Sequence, residues 1–202
     1  MEKKYKLTEE TLAVDGHVMH RIIALRDFGE VKKGDLGGFI EKESNLAHDR
    51  NCWIYNDAVV RGDAMVYGYA KVYGEAKVYG NAKVYGNAKV CDDAEVYSNA
   101  EVYSNAKVCG NAKVCGEAMV YGEAKVCGNA IVEKKSDYIV FKNWWSSGRY
   151  FTWTRSNDMW SVGCFYGTGE ELIKKAYKGS EEKGREYERV VKYVESIKSE
   201  IK

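Results

Sequence analysis

The chain has 202 residues, a formal net charge of +1, no proline, and 30% charged against 45% hydrophobic residues. That length suits one domain, or one solenoid with its caps. The near-neutral balance gives no electrostatic case for nucleic acid or an acidic membrane surface, and no apolar run approaches the roughly 18 residues of a spanning helix.

The N-terminal MEKKYKLTEE has no apolar stretch, so it is not read as a secretory signal, and a cytoplasmic location is expected. KYKLTEETLAV and HVMHRIIAL flank Asp15-Gly16, a two-residue hairpin signal. Gly34, Gly37 and Gly38 predict a tight loop leading out of it. Residues 1–44 are therefore expected to form an N-terminal hairpin and loop cap.

From Asp57 to Lys134 the chain is thirteen uninterrupted hexapeptides with the consensus [Asn/Asp/Glu]-Ala-x-Val-[Tyr/Cys]-Gly. Two weaker units precede them, NLAHDR at 45–50 and NCWIYN at 51–56. A short fixed period is the signature of a solenoid, each unit burying its apolar face only against its neighbours. Within a hexad, Ala and Val point one way and the third and fifth residues the other, which is a strand pattern. Gly, Asn, Asp or Ser at the sixth and first positions supply the corner. The apolar phase never inverts, so parallel coils fit better than a meander. Stepping by eighteen, positions 67, 85, 103 and 121 are all Tyr, and 71, 89, 107 and 125 are all Lys. Stepping by twelve gives no pure column. Three hexads per coil, about five coils over 45–134 and a triangular prism are expected, roughly 25 Å long at the ~4.8 Å strand spacing.

These hexads resemble the left-handed parallel β-helix of hexapeptide-repeat proteins. The segment RIIALRDFGEVKKGDLGGFIEKESNLAHDRNCWIYNDAVVRGDA (21–64) resembles more narrowly the start of the β-helix in YdcK-like proteins, bacterial and phage proteins that carry a transferase label. The left-handed winding is implied by that resemblance; the usual right-handed crossover rule would argue for the other hand. The resemblance also implies an acyltransferase working on an acetyl-CoA-type donor, with a histidine as general base.

Residues 135–202 differ in composition. YIVF, RYFTWTR and MWSVGCF predict three short strands in a segment that carries four of the five Trp. TGEELIKKAYKG predicts a helix with a capping box of Thr168 and Glu171. A last helix from about 181 has one narrow stripe of Tyr187, Val190, Val194, Ile197 and Ile201. This β/α module is expected to cover the C-terminal coil, whose edge and core would otherwise be open. Its aromatics are read as its own core rather than a stacking platform. Of the consecutive Trp144 and Trp145, one is expected to face outward.

Few residues suit catalysis. The three histidines, His17, His20 and His48, all fall in or near the N-terminal cap, and no loop interrupts the repeats. His48, in the inward phase of the first weak hexad, and His20 are the candidate bases, and both are read first as structural. Six cysteines (52, 91, 109, 115, 127, 164) lack CxxC or CxH spacing. They are expected to be free thiols of a reducing compartment. Cys91, Cys109 and Cys127 would form a column, but with no converging ligands beside it no metal is expected, and no cofactor. Lys71, Lys89, Lys107 and Lys125 are candidate anion or nucleotide binders, against the plainer reading of solvated charges on an exposed sheet. Tyr67, Tyr85, Tyr103 and Tyr121, with Met65 and Met119, are the candidate interface, because Tyr and Met are enriched in interface cores. The sequence is thus read as a non-catalytic scaffold or binding protein, a homo-oligomer (dimer or trimer) with a host or phage protein as a further partner. Acyltransferase and anion binder are the alternatives.

Overall fold

The computed structural model describes residues 2–201. Strands β1 (Tyr5–Val14) and β2 (His17–Ala24) form an antiparallel hairpin. Its corner is Asp15-Gly16, both at positive φ (51° and 80°). Strand β3 (Leu36–Ile40) pairs with β2, then starts the solenoid by pairing parallel with Val59–Val60. Fourteen two-residue strands follow among the described residues, β4 (Trp53–Ile54) to β17 (Ile131–Val132).

The repeat explains these strands. Each Val and Ala of the thirteen hexads is fully buried, from Ala58 and Val60 to Ala130 and Val132. The outward third residue pairs with its equivalent eighteen residues on, as Lys71 with Lys89 and Lys89 with Lys107. From Gly62 to Gly128 every sixth residue has φ between 60° and 75°. That left-handed corner turns the chain by one prism edge and suits glycine. Three sheets result. One holds β1, β2, β3 and the strands at 59, 77, 95, 113 and 131; one holds those at 53, 71, 89, 107 and 125; one holds those at 65, 83, 101 and 119. The molecule is a mainly β, parallel β-solenoid of eighteen-residue coils.

The first coil departs from the expected period. Ile40 pairs with Val60 and Leu46 with Val66, twenty residues apart, whereas Trp53 pairs with Lys71 at eighteen. The two extra residues lie between Leu46 and Trp53. Leu46, not His48, therefore takes the inward position of the first weak hexad. Gly37 and Gly38, expected in a loop, lie in strand β3. A Cβ on Gly37 would meet Ile22, Trp53 and the Ile54 carbonyl at 2.5–2.7 Å, so glycine here is a packing requirement.

The C-terminal module is a four-stranded antiparallel sheet, β18 (Tyr138–Lys142), β19 (Tyr150–Thr154), β20 (Met159–Val162) and β21 (Phe165–Gly167). MWSVGCF was expected as one strand; Gly163 at φ 59° folds it into two. Helix α1 (Gly169–Tyr177) is capped as its sequence predicts: Thr168 Oγ1 accepts from Glu171 N at 3.2 Å, and Thr168 N donates to Glu171 Oε2 at 2.9 Å. Helix α2 (Glu181–Ile197) buries Gly184, Tyr187, Val191 and Val194 against Phe151, Trp160, Leu172 and Ala176. Its stripe is used inside the chain, on a face shifted from the expected one. Trp144 and Trp145 are both exposed (72% and 66%). They lie in a turn, where strand alternation does not apply.

Both prism ends are sealed by side chains. At the start, Lys4 Nζ donates to Cys52 O at 2.8 Å and Asp49 O at 3.4 Å, and Tyr5 Oη to Leu46 O at 2.8 Å. Arg21 donates to Gly37 O and Asn56 O, and Asn45 Nδ2 to Gly62 O and Ala64 O. At the far end the last coil offers N–H groups with no further coil to receive them. Tyr121 N donates to Tyr138 Oη, Lys125 N to Thr152 Oγ1 at 2.9 Å, and Ile131 N to Ser156 Oγ at 2.7 Å. No helix among the described residues is long and apolar enough to cross a membrane.

Candidate functional site

The prism presents three outward faces. On the face of Met65, Lys83, Glu101 and Met119, the fifth-position tyrosines stack ring on ring. Centroids of Tyr67–Tyr85, Tyr85–Tyr103 and Tyr103–Tyr121 lie 4.8, 4.9 and 5.3 Å apart, with planes within 11°. One strand spacing is close to the separation of offset-stacked rings, so the backbone sets this ladder. Tyr67, Tyr85 and Tyr103 are half-buried by their neighbours, while Tyr121 (47%) and Met65 (43%) stand open. Met119 is half-buried. The middle of the face is not purely apolar: Tyr85 Oη donates to Glu101 Oε2 at 2.9 Å, and Glu101 pairs with Lys83 at 3.2 Å. Burial first, then that carboxylate, pushes the Tyr85 phenol well above its usual pKa.

A second, shorter ladder stands on another face, Tyr79 on Tyr97 at 5.0 Å and 2°. The outward positions there also carry Arg61 and Cys115, so this column is mixed and eighteen-residue spacing alone does not single the pair out.

The third face carries Lys71, Lys89, Lys107 and Lys125 in register. Two are partnered within the chain. Lys71 Nζ pairs with Glu30, and Lys125 Nζ donates to Gly163 O at 3.1 Å. Lys71 and Lys89 border a shallow cleft with Glu30, Tyr55 and Tyr73. One charge of the ladder, that of Lys71, is therefore offset within the chain by Glu30.

Beside the lysines run Cys91, Cys109 and Cys127. Cys109 and Cys127 are joined as a disulfide, with Cα atoms 4.7 Å apart, which corrects the expectation of six free thiols. Residues one coil apart sit at the Cα separation a disulfide needs, and a linear sequence does not make that proximity obvious. Cys52, Cys91, Cys115 and Cys164 are free. Burial pushes the Cys91 thiol up in pKa. Asp92, by sequence only a corner residue of the repeat, brings a carboxylate to this column: its Oδ2 lies 3.7 Å from Cys91 Sγ and accepts from Gly110 N at 2.9 Å.

The histidines stand apart from these faces. His48 stacks on Tyr5 at 4.4 Å, accepts from Lys4 N at Nδ1 (3.3 Å), and meets Glu43 through Nε2 at 2.8 Å. His17 pairs with Glu41 at 2.8 Å, and His20 Nδ1 lies 3.2 Å from Thr8 O. Each imidazole is tied to the N-terminal hairpin or its junction with the first coil. The structure does not bring them together with the lysine, tyrosine or cysteine columns.

Comparison with known proteins agrees with this fold. No family model matches the chain. The uncharacterized acetyltransferase YdcK of Escherichia coli (strain K12) is 39% identical over 66 residues. The chain is a hexapeptide-repeat β-solenoid. The aligned stretch is 29% of this chain and 20% of YdcK, so the chain spans about a fifth of that relative's length. The likeness is local, and YdcK's named activity is a property of YdcK.

Proposed function

We propose that this protein is a non-catalytic β-helical scaffold that acts through protein–protein contacts of its rigid prism and self-associates through the Tyr67/Tyr85/Tyr103/Tyr121 face. The observation that carries this reading is the stacked ladder itself. Its rings are held parallel on a backbone that cannot rearrange, so a partner meets a preformed surface and little side-chain entropy is lost on binding. Tyr85 and Tyr103 are its centre, where aromatic anchors contribute most. The Lys83–Glu101 pair suits a two-fold contact, in which each charge can meet its opposite on the second copy. Sedimentation velocity of the full chain is the test. The parent should sediment as a dimer or trimer at micromolar concentration, and Tyr85→Glu with Tyr103→Glu as a folded monomer. A monomeric parent ends this reading.

A second reading, acyl transfer from an acetyl-CoA-type donor, is favoured by the YdcK likeness. It needs a general base, and His48 and His20 are the candidates, although their present partners are structural. Acetyl-CoA should then raise the melting temperature by mass action, and His48→Ala or His20→Ala should abolish turnover. The scaffold reading expects no shift.

A further inference from the structure

The lysine face also carries sulfur, and one corner beside it departs from the repeat. In the flanking coils the equivalent corners are Gly74 and Gly110; here the residue is Asp92. Cys91 Sγ, a carboxylate oxygen of Asp92 and Cys109 Sγ all lie within 4.8 Å of one another. Two of these residues, Cys91 and Cys109, are buried, and Asp92 is held in place by the Gly110 N–H at 2.9 Å. Donor atoms around a tetrahedral zinc sit about 3.6–3.8 Å apart, given Zn–S near 2.3 Å and Zn–O near 2.1 Å. The Asp92–Cys91 separation of 3.7 Å already has that value. The two thiols need only a side-chain adjustment, because the Val and Ala core fixes their strands one rung apart. Cys127 cannot join Cys91 around the same ion, since it stands two rungs away, about 9.6 Å along the prism.

We propose that Cys91, Asp92 and Cys109 form a thiolate–carboxylate site for a soft divalent cation of the zinc class, and that the Cys109–Cys127 disulfide closes it. The sulfur of Cys109 has two competing partners. Oxidised, it is bonded to Cys127. Reduction adds two electrons and two protons to that disulfide, from a dithiol in a cell or from a phosphine and water in a cuvette, the phosphine leaving as its oxide. The cation then displaces one proton from Cys91 and one from Cys109 and takes an oxygen of Asp92. Two protons are released for each ion bound. Three protein donors leave the fourth position to water. Soft thiolates favour zinc or cadmium over magnesium or calcium.

The test uses the full chain and Cd²⁺, followed by thiolate-to-cadmium absorption in the ultraviolet, with circular dichroism confirming the fold of each variant. Phosphine-reduced, desalted parent should bind one Cd²⁺ per chain that the oxidised parent does not bind. Reduced and desalted Cys127→Ser, which cannot form the Cys109–Cys127 disulfide, should bind one Cd²⁺ as the reduced parent does. Cys91→Ser should lose this ion, and Asp92→Asn should bind it at least about tenfold more weakly. Should Cys91→Ser fail to fold, Asp92→Asn and Cys127→Ser decide the matter. The proposal is overturned if the reduced parent gains no ion, if Cys91→Ser binds as the parent does, or if Asp92→Asn is unchanged. The last two results would assign the metal to other thiols of the chain.

Discussion

Asp92, Ser98 and Ser104 occupy corners where nine other hexads place glycine, and all three keep φ near 60°. A left-handed conformation costs an L-residue roughly 1–2 kcal/mol. The repeat tolerates a few such residues because stacked coils fix the corner regardless. Gly110 is less forgiving. Its φ is 68°, and a Cβ would stand 2.9 Å from Gly128 N. Gly110→Ala should lose about 1–3 kcal/mol of stability, measured by urea denaturation, as strained backbone positions do. Unchanged stability would mean the corner can relax. A second residue-scale effect is acid-sensitive. Glu41 Oε2 accepts from Gly62 N at 2.6 Å, and Oε1 meets His17. These contacts, the backbone hydrogen bond first, lower the Glu41 pKa below its usual 4.5. Between the folded and unfolded values the unfolded chain binds more protons. The stabilisation is therefore present above about pH 4.5 and is lost as pH falls through the folded value. Glu41→Gln should flatten that acid limb in denaturation curves taken at pH 5 and pH 3; an unchanged pH dependence would remove Glu41 from the account.

At the scale of elements, the inward assignment rests on depth. Val96 lies in the middle coil and is fully buried. Val96→Ala should cost about 1–3 kcal/mol through lost methyls and a residual cavity, and Val96→Asp should prevent soluble expression. A Val96→Asp variant that melts with the parent would place Val96 outside. The C-terminal module is coupled to the prism by Tyr138 and Val140, which pack on the solenoid core, and by individual hydrogen bonds. Thr152 is buried, and its hydroxyl receives the Lys125 N–H. Thr152→Val keeps the shape but strands that donor, which should cost about 1–3 kcal/mol; Thr152→Ser should cost far less. Equal losses in both would assign the effect to packing. The strands, corners and columns of the prism were legible in the sequence because period 2, period 6 and period 18 each leave a residue pattern. Strand β3 was not, since Gly37 and Gly38 carry no side-chain pattern and read as a loop. The seals were equally silent. Lys4 reads as an exposed lysine, yet it is buried with its ammonium on backbone carbonyls, and burial lowers its pKa. Of the candidate sites, the tyrosine and lysine columns came from spacing. Asp92 and the disulfide became visible only when coils were stacked, because their partners lie eighteen residues away and belong to no known spacing motif.

On the scale of the whole molecule, stability should vary along the axis. A solenoid is nearly one-dimensional, each coil held by its two neighbours. Coils in the middle, around Lys89, Glu95 and Glu101, have a neighbour on both sides. The last coil has one, plus the side chains of Tyr138, Thr152 and Ser156. That module has its own core of Phe151, Trp153, Trp160, Leu172 and helix α2. It is therefore expected to undock as a unit, releasing Tyr138 and Val140 from the prism, before the prism unfolds. Native-state hydrogen exchange should reveal the order. The amides of Lys89, Glu95 and Glu101 should exchange only through global unfolding, those of Tyr121, Lys125 and Ile131 faster, through undocking of the C-terminal module. Thr152→Val should speed exchange at Lys125 and its neighbours while leaving Lys89 slow relative to global stability. Uniform protection from Val60 to Val132, unaffected by Thr152→Val, would mean that prism and module unfold as one cooperative body and that the hydroxyl seals carry no separable share of the stability.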